Sequence, residues 1–559
     1  MFVRAQTNGD RTYLLVVENQ RIDGKIRQRV LYRLGRLDQL LASGQLDALL
    51  ASLGRFSDKY TVLGAHADGR SLTTRTRIIG APLIAERLWR QCGISTVLAD
   101  LLGERHFEFS VERAIFLTVL HRLLAPGSDR AAEKWKDNYA LAGAESLALH
   151  HLYRAMAWLG EPLPEAEQEG ATPYAVRTTK DRVEEALFAH RRDLFSTLDL
   201  VFFDTTSIYF EGEGGETLGW YGHSKDHRPD RLQMVVGVVM DAAGNPVCSE
   251  LWPGNASDMK SLVAIVDRLK TRFPVGEVCI VADRGMISAE TLGQIEQRRW
   301  RYILGVRMRS SKEAREEVMG RAGRYHEVHP WSADPKAPSP LKVKEVWVGE
   351  RRYVVCQNEA QARKDRQDRE AIVVALEEAL TAGDKSLVGN QGYRKFLRPT
   401  GGEHFAIDQD KVVEEARYDG KWVLTTNTEL SASEAALKYK QLWMVEDIFR
   451  SMKSLLETRP IYHRSDETIR GHVFCSFLAL VLRKELEDRL AAKGWSLEWA
   501  DVVSDLDRLQ EVEMSLEGKS WVVRTETTGT VGKVFQACGV ALPPTLRAAQ
   551  GGDAETAEV

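Results

Sequence analysis

The chain begins with polar and apolar positions in alternation. TYLLVVENQ and IRQRVLYRLG flank RIDGK, a pattern that predicts a β-hairpin turning at Asp23-Gly24, residues suited to the positive φ of a tight turn. From about residue 78 the period lengthens. APLIAERLWRQCG, VERAIFLTVLHRLL and LHHLYRAMAWLG carry apolar residues at i, i+3, i+4 and i+7, which predicts helices buried along one face. EPLPEAEQEGATP, at 161–173, is polar and Pro-rich and reads as a boundary loop. Apolar runs then predict strands between 198 and 310. RLQMVVGVVMDAAGNPVCSELWPG reads as two strands joined at Ala243-Gly244-Asn245, and SLVAIVDRLKTRF as a helix. Between 311 and 425, short strands such as KVKEVWVGERRYVVC and GKWVLTTN alternate with charged segments. Helical periodicity resumes at 431–457 and 466–490.

A chain of 559 residues exceeds a single core. The pattern divides it into a basic hairpin region (1–70), a helical region (71–190), an α/β core in two parts (191–310 and 429–490), a β-rich insertion between them (311–428) and a C-terminal region (491–559). That last region is expected to contact a second subunit or a DNA end.

Composition narrows the classes. The six cysteines are scattered and form no CxxC pair, which supports neither a disulfide framework nor a zinc knuckle and fits a reducing cytoplasm. MFVRAQTNGDRTY has no apolar signal core, and VFCSFLALVL at 473–482 is half a membrane span, so no membrane segment is expected. No GxxxxGK[ST] occurs, so ATP is not expected; EGKS at 517–520 lacks the upstream glycine. HEVHP at 326–330 is not HExxH, and His150-His151 lie in an amphipathic helix, which gives zinc catalysis little support.

The net charge of −4 leaves a nucleic-acid partner open, because local charge decides. Residues 1–36 hold eight Arg/Lys against three acids, a local +5, and Lys25, Arg27 and Arg29 alternate onto one face. That face is either a solvated edge or a phosphate-contacting ribbon. YGHSKDHRPDRLQ concentrates His223, Lys225, His227, Arg228 and Arg231, and RRWRYILGVRMRS is a further basic stretch.

Within LVFFDTTSIYF, Asp204 interrupts an apolar strand. Burying an unpaired carboxylate costs several kcal/mol, so something charged is expected to meet it. A second apolar strand, VCIVADRG, runs into Asp283. On LKYKQLWMVEDIFRSMKSLLE, Tyr439, Glu446 and Lys453 recur every seven residues, one stripe of a continuous helix, opposite an apolar side of Val445, Ile448, Met452 and Leu455. Three converging carboxylates repel unless divalent metal neutralises them. Their hard oxygens favour Mg²⁺ or Mn²⁺, and two ions suit in-line phosphoryl displacement.

FFDTTS, VADRG and YKQLWMVEDIFRSMK resemble the bacterial insertion-sequence DDE transposases, in the IS-four-like superfamily marked by Tyr, two residues, Arg, three, Glu, six, Lys. This chain has Leu442 where that signature has arginine. The resemblance spans about 195–490 and implies an RNase H-like mixed-sheet core interrupted by an insertion, with Asp204, Asp283 and Glu446 as catalytic metal ligands. It also implies that Tyr439, Arg450 and Lys453 hold DNA phosphates, that Trp422 stacks on a flipped base, and that the 221–233 loop lies beside the scissile phosphate. Trp443 is expected in the core. The expected partners are double-stranded DNA, as terminal inverted repeats and target, and a second copy on DNA, in the bacterial cytoplasm at the nucleoid. A stand-alone RNase H-like nuclease and a non-catalytic DNA-binding descendant are the alternatives.

Overall fold

The computed structural model describes residues 1–22, 25–54, 73–103, 105–169, 171, 176–191, 200–256, 258–273, 278–330, 332, 338–382, 395–401, 404–516 and 519–549. The Asp23-Gly24 turn, part of the 161–173 loop and the 551–559 tail lie outside them. The chain forms two compact units: Met1–Leu83 with Asn138–Ala140 and Leu497–Val559, and Ile84–Asp137 with Leu141–Ser496.

In the first unit Arg11–Ile22 and Lys25–Arg36 pair antiparallel, as their alternation predicts. A strand the pattern did not predict, Phe2–Asn8, adds to the other side of Arg11–Ile22. A second sheet joins distant parts of the chain. Thr73–Ile78 pairs with Gln510–Leu516, which pairs with Lys519–Arg524, which pairs with Leu546–Ala548. The C-terminal region therefore completes a sheet begun more than four hundred residues earlier.

The second unit is built on a nine-stranded sheet. Its order is His326–His329, Leu341–Val348, Arg351–Gln357, Lys421–Thr426, Arg301–Val306, Cys279–Ala282, Leu200–Tyr209, Gln233–Met240, Pro246–Pro253. Only two neighbouring pairs are parallel: Leu200–Tyr209 with Cys279–Ala282, and Cys279–Ala282 with Arg301–Val306. Three antiparallel strands in succession followed by two parallel ones, with the first strand central, is the RNase H-like arrangement. A core of Val201, Phe203, Val239, Leu262, Val266, Ile280 and Leu304 lies between this sheet and the helix Asp258–Arg272.

The strands of the 311–428 segment divide between two sheets. Four of its strands continue the same sheet outward from Arg301–Val306, while Leu397–Gly401 and His404–Ile407 pair as a separate two-stranded sheet, and it carries a 24-residue helix, Glu359–Ala382. In the helical part of this unit, the long helix Asp466–Ala492 packs on Leu149–Gly160 and Val111–Leu124. A Cβ on Gly471 would stand 1.9 Å from the Met156 carbonyl oxygen, so glycine permits that close crossing. The 473–482 run is buried throughout. No helix among the described residues is long and apolar enough to cross a membrane.

The 431–457 helix is broken. Ala432–Lys440 ends, Trp443–Arg450 begins, and Ser451–Leu455 follows as a π-helical turn closed by Leu456 N–H donating to the Ser451 carbonyl at 2.8 Å. Bonds from i+3 to i cross the junction, Leu442 to Tyr439 and Met444 to Gln441, each 3.0 Å. The turn tightens there and the seven-residue stripe loses its single axis.

Candidate active site

Strand register brings the first two acids together. Leu200–Tyr209 and Cys279–Ala282 run parallel with Phe203 opposite Ala282, so Asp204 and Asp283 follow as neighbours on adjacent strands. Glu446 enters from the first turn of Trp443–Arg450, where the helix N-terminus favours a carboxylate. Val445 and Phe449 anchor that helix in the core, followed by Met452 and Leu456 beyond it. This apolar side differs from the one expected by spacing, because Ile448 is only half-buried.

Asp204, Asp283 and Glu446 line one open cavity of about 220 Å³ with Trp422, Tyr439, Lys440, Leu442 and Trp443. Burial pushes the Asp204 carboxyl up to about 6, with the charges of Asp283 and Glu446 adding to the rise. Lys225 and the Thr205 N–H, which donates to Oδ1 at 2.7 Å, oppose it. Asp283 caps the turn Arg284–Met286. Its Oδ1 accepts the Tyr439 hydroxyl at 2.9 Å, and burial beside that carboxylate pushes the phenol far above its ordinary range.

The Tyr439 hydroxyl, expected at a DNA phosphate, is in this structure given to Asp283. Gly305 makes room for it, since a Cβ there would stand 2.4 Å from the Tyr439 oxygen. Arg307 braces the same turn by donating to the carbonyls of Arg284 and Gly285, at 3.0 and 2.8 Å. In the basic stretch 298–310, Arg298 pairs with Asp267, Arg301 donates to the Asn427 carbonyl and Arg309 pairs with Glu415.

The donor set fits hard divalent cations: carboxylate oxygens only, with no sulfur or imidazole. The three acids are not drawn within 4.8 Å of one another; among the described residues, only Asp129, His463 and His472 are. Two ions about 3.5 to 4 Å apart need ligands spread around both, which suits an open arrangement. The Asp129 group reads differently. Arg122 lies 2.8 Å from His472 Nδ1 while His472 Nε2 donates to the Thr458 carbonyl at 3.1 Å, so the nitrogen a metal would need faces a guanidinium instead.

The other expected contacts divide. Trp422 reaches the cavity with its indole N–H buried and unpartnered. Trp443 is not core: it opens a helix at the break and is 60% exposed. Leu442 is buried in the cavity wall, so no cation stands at the signature position. Lys453 does not line the cavity; its ammonium pairs with Asp226 at 2.7 Å. Arg450 is exposed and pairs with Asp447.

On the 221–233 loop, His223 and His227 are exposed, Lys225 donates to the Thr205 carbonyl at 2.6 Å, Arg228 pairs with Asp230 and Arg231 with Glu211. Arg27 and Arg29 lie exposed on Lys25–Arg36, opposite Gln20 and Glu18. Lys25 belongs to that strand, with its side chain outside the described residues. Sequence reasoning missed Lys440, Asp226 and Arg459. Only Asp226 and Arg459 carried a signal: one of two acids within a basic loop, and one arginine just past the Glu446 helix.

An RNase H-like sheet bearing two adjacent acids, with a third delivered by a late helix, defines a class. Residues 196–482, just over half the chain, match the transposase DDE domain, and the chain belongs to that family. Residues 3–66 match the N-terminal domain of IS1634 family transposases, so the protein is an insertion-sequence transposase, and transposases bind DNA. No curated protein matches the chain.

Proposed function

We propose that Asp204, Asp283 and Glu446 hold two Mg²⁺, or Mn²⁺, and that the protein nicks the terminal inverted repeats of its element and joins the freed 3′ ends to target DNA. The bound ions would supply Lewis-acid stabilisation of the attacking and leaving oxygens. Asp283 is oriented by Tyr439 and its capped turn, and Asp204 is fixed by the Thr205 N–H. Trp422 offers a flat face to an unpaired base, worth about 1 to 3 kcal/mol by stacking.

Lys440, in the cavity, takes the phosphate-facing part that Leu442 leaves open. Arg450 and the basic 221–233 loop lie along the DNA path, and Lys25, Arg27 and Arg29 contact its backbone outside the catalytic unit. Residues 1–70 and 71–190 serve end recognition. Two copies act on paired ends, in the cytoplasm. Within the family, the chain is read as IS-four-like, with Tyr439, Glu446 and Lys453 as its signature.

The observation that supports this most is the register that sets Asp204 beside Asp283, with Glu446 on the same cavity. The test is strand transfer with pre-nicked duplex ends bearing a free 3′-OH, in Mg²⁺. Joined products are expected; nicking without joining would make the protein a nuclease instead.

A further inference from the structure

Lys453 and Arg459 converge on a single atom. Lys453 Nζ lies 2.7 Å and Arg459 Nη1 2.6 Å from Asp226 Oδ1. Asp226 Oδ2 is buried and accepts no hydrogen bond. The Asp226 side chain is 5% exposed and that of Arg459 26%, so the cluster is closed over the acid and open over the arginine.

A carboxylate kept solely for stability would be expected to use both oxygens, since an unsatisfied buried acceptor forfeits its hydration. Two cations also outnumber one anion in a partly buried place. The acid sits in a loop whose other charged residues are mostly basic and whose root is tied down, with Lys225 N–H donating to Ser207 Oγ at 2.8 Å and Gln233 Nε2 to the Gly222 carbonyl at 2.7 Å. Asp226 follows Lys225, whose charge acts on Asp204, so the cluster adjoins the candidate active site without lining its cavity.

We propose that Lys453 and Arg459 form a binding site for a DNA backbone phosphate, and that Asp226 fills this site in the free protein until DNA displaces it. The proposal rests on the transposase reading of the neighbouring acids. A phosphodiester brings one negative charge and two free oxygens, so each cation gains its own acceptor. Arg459 becomes a DNA contact and Asp226 a gate on the 221–233 loop. Asp226 needs no chemistry of its own. Its removal would therefore strengthen binding, which a structural brace would not do.

The test is fluorescence anisotropy of a labelled duplex carrying the element's end, bound by full-length protein in EDTA across a salt series. Asp226→Asn should bind roughly tenfold tighter, the worth of about one charge-assisted contact. Its slope of log affinity on log salt should stay close to that of the unaltered protein, because the same phosphate is contacted in both bound states, at about 0.9 per phosphate. Arg459→Gln should weaken binding and flatten the slope by about the same amount, and the double variant should show no gain. Equal or weaker binding by Asp226→Asn overturns the proposal. Should Asp226→Asn fold poorly, Arg459→Gln decides alone, an unchanged slope counting against the phosphate site. Mg²⁺-dependent nicking by the unaltered protein on the same duplex separates the two claims: nicking without the predicted affinities sinks only the exchange, whereas neither binding nor nicking sinks the proposed reading of the three acids as well.

Discussion

The metal-free protein should be destabilised by its own active site, and Asp204 is where this is measured. The carboxyl is raised from 3.8 to about 6, chiefly by burial, so the folded state holds its proton more tightly than the unfolded chain does. Asp204 therefore favours folding below about pH 4, loses that contribution between about 4 and 6, and above that range leaves an ionised group the fold does not accommodate. At 1.36 kcal/mol per unit the burden is about 3 kcal/mol.

Asp204→Asn removes the charge and nearly keeps the shape. For a unit of roughly 400 residues the unfolding entropy is about 0.9 kcal/mol/K, which converts the burden into a rise of about 3 °C. Differential scanning calorimetry in EDTA from pH 4 to 8 tests this. Asp204→Asn should melt higher than the unaltered protein at pH 8, and the two should converge toward pH 4. An Asp204→Asn protein that melts at or below the unaltered one at pH 8 would show that Asp204 is already compensated, and the reasoning from burial would fail.

Two further outcomes follow from the geometry. Gly305→Ala places a Cβ against the Tyr439 hydroxyl and should cost about 1 to 3 kcal/mol of stability by overpacking; combining it with Tyr439→Phe, which removes the clashing oxygen, should recover part of that loss in denaturant unfolding. Trp422→Ala should weaken binding of a duplex with an unpaired base at its end by about 1 to 3 kcal/mol and leave fully paired duplex nearly unaffected, measured by competition anisotropy.

What the sequence showed and what it hid have separate physical causes. Asp204 and Asp283 were legible because acids at the ends or middles of apolar strands violate the burial rule, and such violations mark sites. Glu446 was legible from its helix, although the seven-residue argument assumed one axis that the chain does not have. Neither proline nor glycine marks the break at Gln441-Leu442, so periodicity ran through it. Trp443, which an unbroken helix would place in the core, is exposed. The insertion's strands were visible individually, but strand signals do not say which sheet they join. The pairing of Gln510–Leu516 with Thr73–Ile78 was hidden for the same reason, its partners lying at opposite ends of the chain. The pairing of Lys453 with Asp226 depends on a loop conformation that composition does not encode.

The central claim is that Asp204, Asp283 and Glu446, far apart in the chain, work as one metal-holding unit. Nicking of the element's end duplex in Mg²⁺, measured for Asp204→Asn, Asp283→Asn and Glu446→Gln alongside end binding in EDTA, tests it most directly. Each substitution is predicted to lower nicking by about a thousandfold or more, pairs to be scarcely worse than singles, and binding to survive in all. Nicking near the unaltered rate in any one of the three would contradict the account.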